Sequence, residues 1–179
     1  MADFKGGVDF SYVWQEFAYI ITEETKLLVL LNHLADTLEE RKRLFKKVDA
    51  TNITEYREKS GDYMQRIVFA CDEVAELLDK TGADKARKEL LAQIEARLAL
   101  IARQGRAFGI HLILATQRPD ANILPGQIKN NMNIRICGRA DTTLSTIIIG
   151  DGRAAEQVPH DARGGLDGRW HGVSGVLFQ

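Results

Sequence analysis

Apolar positions recur along this chain at two different periods, and the switching between them marks out its elements. From Thr22 to about Lys47 the residues Leu27, Leu30, Leu31, Leu34, Leu38 and Phe45 recur at three- and four-residue steps, while Glu39, Glu40, Arg41, Lys42 and Arg43 crowd the other side. That spacing predicts a long amphipathic helix. Thr22 is a suitable N-cap, and Glu23 and Glu24 fall in the first turn, where carboxylates suit the positive end of the helix dipole. A second stripe, Leu90, Leu91, Ile94, Leu98 and Ile101, predicts another helix over about 84–107, closed by Gly109. Short apolar runs at 17–21, 66–71, 110–115 and 132–138 read as strands. Residues 52–60 are expected as a short polar helix, and 122–130 and 141–149 as further helices. Past Gly150 the chain becomes glycine-rich, and only 173–178 suggests a terminal strand.

Strands alternating with helices of this length predict an α/β fold, a mainly parallel sheet covered by helices on both faces. The whole of 1–179 is expected as one domain, with 164–179 a tail of no assigned structure beyond that strand. In such sheets ligands sit at the carboxyl ends of the strands. Composition narrows the partners. Lys and Arg number 24 against 25 Asp and Glu, so the net charge is -1 and a broadly basic nucleic-acid wrapper is excluded, though a local basic surface is not. The longest apolar runs, 27–31 and 147–149, are far short of the roughly 20 residues a membrane span needs. Cys71 and Cys137 each sit in an apolar run, as reduced interior cysteines of a cytosolic protein do. With no cationic start before an apolar segment, a secretion signal is not expected, and the location read from the sequence is cytoplasmic.

The chemistry concentrates at two strand ends. Ile67-Val68-Phe69-Ala70-Cys71 runs straight into Asp72-Glu73, an apolar strand delivering two acids to its tip. This describes a Walker B element. The first acid, Asp72, would reach the Mg²⁺ coordination sphere, through water if need be, because Mg²⁺ keeps several waters and takes few protein ligands. The second, Glu73, would take a proton from the water attacking the γ-phosphate of ATP. A strand ending on two solvated carboxylates fits the same residues. The next strand, Ile113-Leu114-Ala115, exits through Thr116-Gln117-Arg118-Pro119 and offers a hydroxyl and an amide side by side. These could hold the lytic water or sense the γ-phosphate, or they could simply cap a loop. No stretch fits GxxxxGK[ST], the loop whose backbone N–H groups and lysine cradle phosphates. The four histidines show no metal spacing with either cysteine.

Several segments together resemble one family. Lys5-Gly6-Gly7-Val8-Asp9-Phe10, Glu40-Arg41-Lys42-Arg43-Leu44-Phe45, the segment 68–78 (VFACDEVAELL), the segment 102–119 (ARQGRAFGIHLILATQRP), Ile128-Lys129-Asn130-Asn131 and Arg135-Ile136-Cys137-Gly138-Arg139 stand in the order and approximate spacing of FtsK/SpoIIIE-type DNA translocases. The likeness is to the C-terminal part of the motor domain, with the flavour of FtsK-like proteins of conjugative elements. Type VII secretion ATPases are more distant relatives. The resemblance implies a RecA-like P-loop NTPase fold, incomplete at the N-terminus, with the phosphate loop lying before Met1. It implies ATP and Mg²⁺ as cofactors, ring hexamers around double-stranded DNA, and a role in conjugative transfer or chromosome segregation. The full-length protein could be membrane-anchored elsewhere, with no insertion by this segment. Residue by residue, Asp72 becomes the metal residue, Glu73 the catalytic acid, and Thr116 and Gln117 the sensor pair, with Asp72, Glu73 and Gln117 lining the nucleotide. Arg41 becomes a candidate arginine finger facing the neighbouring subunit, and Arg139 a weaker one. The sequence departs from the family at Phe4, where proline is usual, and from Gly164 onward. Two other readings stay open: a non-catalytic motor fragment serving as a subunit-binding or regulatory module, and an ATPase that moves secreted protein. On either view this chain alone, lacking the phosphate loop, is expected to be inactive.

Overall fold

In the computed structural model, which describes residues 1–4, 12–117, 125–158 and 175–178, both long stripes are helices. These are α1 (Glu24–Lys47) and α4 (Lys85–Gln104), and they pack against each other. Leu27, Leu31, Leu34 and Leu38 of α1 and Leu91, Ile94, Leu98 and Ile101 of α4 are all buried in one core. The cap of α1 differs from the expectation: Glu23 occupies the N-cap position with extended backbone and no side-chain cap bond. The shorter α2 (Ile53–Ser60) starts at Asn52, whose side-chain oxygen Oδ1 accepts from the N–H groups of Thr54 and Glu55. The remaining helices are α3 (Val74–Leu78), α5 (Gly126–Lys129), α6 (Thr142–Ile149) and α7 (Arg153–Gln157).

Among the described residues five strands form one sheet: β1 (Ala2–Asp3), β2 (Ile67–Asp72), β3 (Ile110–Thr116), β4 (Ile134–Cys137) and β5 (Gly175–Phe178), in the order β1-β2-β3-β5-β4. β1, β2 and β3 are mutually parallel, and β5 runs antiparallel between β3 and β4. The expected strand over 17–21 does not form. Phe17 and Tyr19 are exposed, and only Ile21 touches the sheet, through a single bridge to Ala2. A two-residue edge strand offers no longer ladder for that run to join. The expectations for 5–11, for Arg118 and Pro119, for 122–124 and for 159–174 lie outside the described residues.

Strand alternation divides the sheet into two unlike faces. Phe69, Cys71, Ile110, Leu112 and Leu114 point to the side where the helices pack and belong to the main core. In-register partners place Val68, Ala70, His111 and Ile113 on the opposite side, together with Ile134 and Ile136 of β4. There Val68 is 56% exposed, Ile134 57% and Ile136 48%. Among the described residues the main core therefore lies on the first of these faces. A smaller cluster of Phe45, Ile53 and Tyr56 closes the other end of α1, with the Phe45 and Tyr56 rings stacked at 4.8 Å. No described helix is long and apolar enough to cross a membrane.

Candidate functional site

The acids of β2 leave the sheet through an abrupt turn. Asp72 is the last residue of the strand, and Glu73, immediately after it, takes φ 51° and ψ 56° before α3 begins. A non-glycine residue in this left-handed region costs on the order of 1–2 kcal/mol, and such strain tends to collect at functional sites. What holds it here is α3, whose Val74, Ala75, Leu77 and Leu78 are all buried. The apolar VAELL that follows the acids pins the chain down as soon as the strand ends. The Glu73 carboxylate is consequently carried across to the tip of β3.

There it meets both residues that the sequence had placed at that tip. The Thr116 hydroxyl donates to Glu73 Oε1 at 2.6 Å, and the Gln117 backbone N–H donates to Oε2 at 3.0 Å. Glu73 is 7% exposed and Thr116 is buried, so this is an interior contact between strand ends 43 residues apart in sequence. Hydrogen bonds to an ionised group are the stronger kind, each worth roughly 1.5–3 kcal/mol. Asp72 is turned the other way. It shares its sheet face with Val68 and Ala70, and it stays half-buried.

The sequence did not single out Asp3, although it is buried in β1 and is the direct register partner of Asp72. Two residues of strand carry no readable period, so the only signal was an acid next to an alanine. Behind the tip, burial pushes the Cys71 thiol well above the ordinary range, and the neighbouring Asp72 and Glu73 charges add to that effect. Among the described residues no group of three or more His, Cys, Asp or Glu is arranged to hold a metal. A half-buried carboxylate at a strand end is the sparse kind of donor that Mg²⁺ takes together with several waters. Asp72 is the residue that fits this use.

The two arginines are not brought to this site. Arg41 is 7% exposed, and its guanidinium donates to the carbonyls of Phe108 at 2.6 Å and Gln65 at 2.8 Å. It ties α1 to the segments that enter β2 and β3, and both bonds would have to break for it to reach another chain. Arg139 donates to the carbonyl of Val158 at 3.1 Å, joining the exit of β4 to the end of α7. A concavity of about 770 Å³ lies beyond β4, lined by Asn130, Asn133, Arg135, Arg153 and Gln157 among others. None of the residues expected at the site lines it. Its Arg135 is already bonded to the carbonyls of Met132, Ile148 and Lys129, so the chemistry favours the strand tips over this space.

A sheet with its acids at the carboxyl end of an inner strand and a polar residue at the tip of the next has the fold of the P-loop ATPases. The chain belongs to the FtsK/SpoIIIE family, whose model matches residues 12–121. It is 32% identical over 143 residues to the DNA translocase FtsK of Campylobacter jejuni, a match covering 78% of this chain and 14% of that protein. The chain thus spans about a seventh of the length of that relative. Among solved structures it is similar to the conjugation coupling protein TcpA of pCW3, in the monomer form with ATPγS, at a TM-score of 0.81 and 41% identity. That match covers 86% of this chain and 44% of TcpA. The Thermomonospora curvata type VII secretion ATPase EccC shares the fold at a TM-score of 0.58 and 24% identity, covering 89% of this chain and 19% of that one.

Proposed function

We propose that this chain is the Walker B and sensor portion of the motor domain of an ATP-driven double-stranded DNA translocase that acts in conjugative transfer or a related segregation step. The observation that carries the reading is the convergence of Glu73 with Thr116 and Gln117 at the carboxyl ends of two adjacent parallel strands. Similarity to a conjugation coupling protein with ATPγS at 41% identity favours DNA as cargo over secreted protein, for which the likeness is one of fold at 24%.

In this reading the half-buried Asp72 at the β2 tip would hold Mg²⁺. The ion, when bound, supplies positive charge against the phosphate oxygens. Glu73 Oε takes the proton from the attacking water, and Thr116 and Gln117 set where that carboxylate stands. Arg41, held inside the chain by two carbonyls, serves as a tie between elements and not as a finger. Arg139, with its bond to Val158, is the better placed of the two to act on a neighbouring subunit in a ring hexamer.

The test is ATP hydrolysis by the full-length protein with and without double-stranded DNA across a salt series. The expected result is hydrolysis that DNA stimulates and that salt releases, because phosphate contacts weaken steeply as ionic strength rises. Hydrolysis indifferent to DNA would move the cargo to protein. No hydrolysis at all would leave a subunit-binding or regulatory module.

A further inference from the structure

We infer that Thr116 is a positioning residue that holds Glu73 withdrawn from its water, so that movement of the β3 tip governs when the carboxylate can act. The inference rests on the reading of Glu73 as the base. Three observations on different links of the structure carry it.

The first is accessibility. A general base must come within hydrogen-bond reach of the proton it removes, directly or through one water. Glu73 is 7% exposed, and each of its carboxylate oxygens already accepts a hydrogen bond from within the chain. The second is direction. Alternation places Asp72 on the sheet face with Val68 and Ala70, whereas Thr116 belongs with Leu112 and Leu114 on the packed face. The Glu73 carboxylate goes to Thr116, so the two acids of the motif point away from each other. The third is the backbone. Glu73 is held at φ 51° between a strand and a five-residue helix, so a small rotation there redirects its side chain.

Both donors come from consecutive residues at the exit of β3. One shift of that tip removes them together, and the Thr116 hydroxyl is the part that a substitution can remove alone. A charge-assisted bond of this kind, once lost, shifts the balance between held and released carboxylate by on the order of tenfold. The prediction is therefore opposite in sign to that for a residue assisting the reaction: taking the hydroxyl away raises the resting rate.

The experiment measures ATP hydrolysis by full-length protein with and without double-stranded DNA for Thr116→Val, Thr116→Ala, Thr116→Ser and Glu73→Gln, with a thermal melt of each. The expected result is a resting rate raised about tenfold in Thr116→Val and Thr116→Ala, while the rate with DNA changes far less and their ratio falls. Thr116→Ser, which keeps a hydroxyl, restores most of the DNA dependence. A fall of both rates by the same factor in Thr116→Val and Thr116→Ala, or failure of both to fold, would make Thr116 a supporting residue and overturn the inference. Glu73→Gln separates the two levels of the account. If it is inactive in both conditions while Thr116→Val leaves the ratio untouched, only the withdrawal is wrong. If it hydrolyses ATP at the parent rate, the base assignment falls and takes the inference with it.

Discussion

Glycine at position 109 is required twice over. Its φ of 73° is one that an L side chain adopts only with strain, and a Cβ built there would lie 2.3 Å from Ile53 Cδ1 and 3.2 Å from Arg41 Nη1. Gly109→Ala is therefore expected to cost about 2–5 kcal/mol, the left-handed penalty plus overpacking, seen as a lower Tm. Gly82 has a similar φ of 69° with nothing within 4 Å of a built Cβ, so Gly82→Ala should cost only about 1–2 kcal/mol. Equal losses would remove the packing part of the argument. Arg41 gives a second prediction at this scale. Because its donors are taken by the Phe108 and Gln65 carbonyls, Arg41→Met should lower the Tm of the full-length protein and reduce ATP hydrolysis only as far as folding suffers. A variant with parent Tm and no hydrolysis would restore the finger assignment. Cys71 gives a third. Burial raises its thiol, so it should resist maleimide in the native protein and react on unfolding. The same shift makes stability fall as pH climbs past the ordinary thiol value, since only the unfolded chain then gains by ionising.

At the scale of elements, α2 shows what a cap contributes. Asn52 accepts from Thr54 and Glu55 while the Glu55 carboxylate accepts from the backbone N–H and hydroxyl of Thr51, so the first turn is tied from both ends. Asn52→Ala is expected to cost about 1 kcal/mol by thermal melt. A loss below a few tenths would mean that tertiary packing of Ile53 and Tyr56 alone fixes this helix. The elements that were legible beforehand are the ones with a long period: α1 and α4 follow their leucine stripes, and β2 and β3 follow their apolar runs to within a residue or so. α3 was not legible because five residues contain no full amphipathic repeat, yet it is what bends Glu73 toward β3. The run at 17–21 looked like a strand because composition reports fitness for a sheet and says nothing of whether an edge is there to receive it. The antiparallel seat of β5 between β3 and β4 depends on pairing across the whole chain, which no local pattern encodes. For the site, the residue types at both strand tips were readable from the acids, the hydroxyl and the amide. Their mutual contact was not, nor the burial of Arg41, because both are products of packing between distant segments.

For the molecule as a whole, the contrast between the two sheet faces sets the frame. The main core occupies one side, and among the described residues the other presents Val68, Ile134 and Ile136 to solvent and carries the half-buried Asp72. The strand tips lie at the edge common to both faces, and the proposed reading puts the nucleotide there. The family match over residues 12–121 covers both acid and sensor tips, and the strand-end contact of Glu73 with Thr116 lies within it. The central claim is that Glu73 is the base of an ATP-hydrolysing motor. The measurement that tests it most directly is the turnover of full-length Glu73→Gln beside the parent, with nucleotide binding followed in parallel by calorimetry. The account predicts retained binding and turnover reduced by about 10²–10⁴-fold, the usual worth of a general base. Hydrolysis at the parent rate would contradict it.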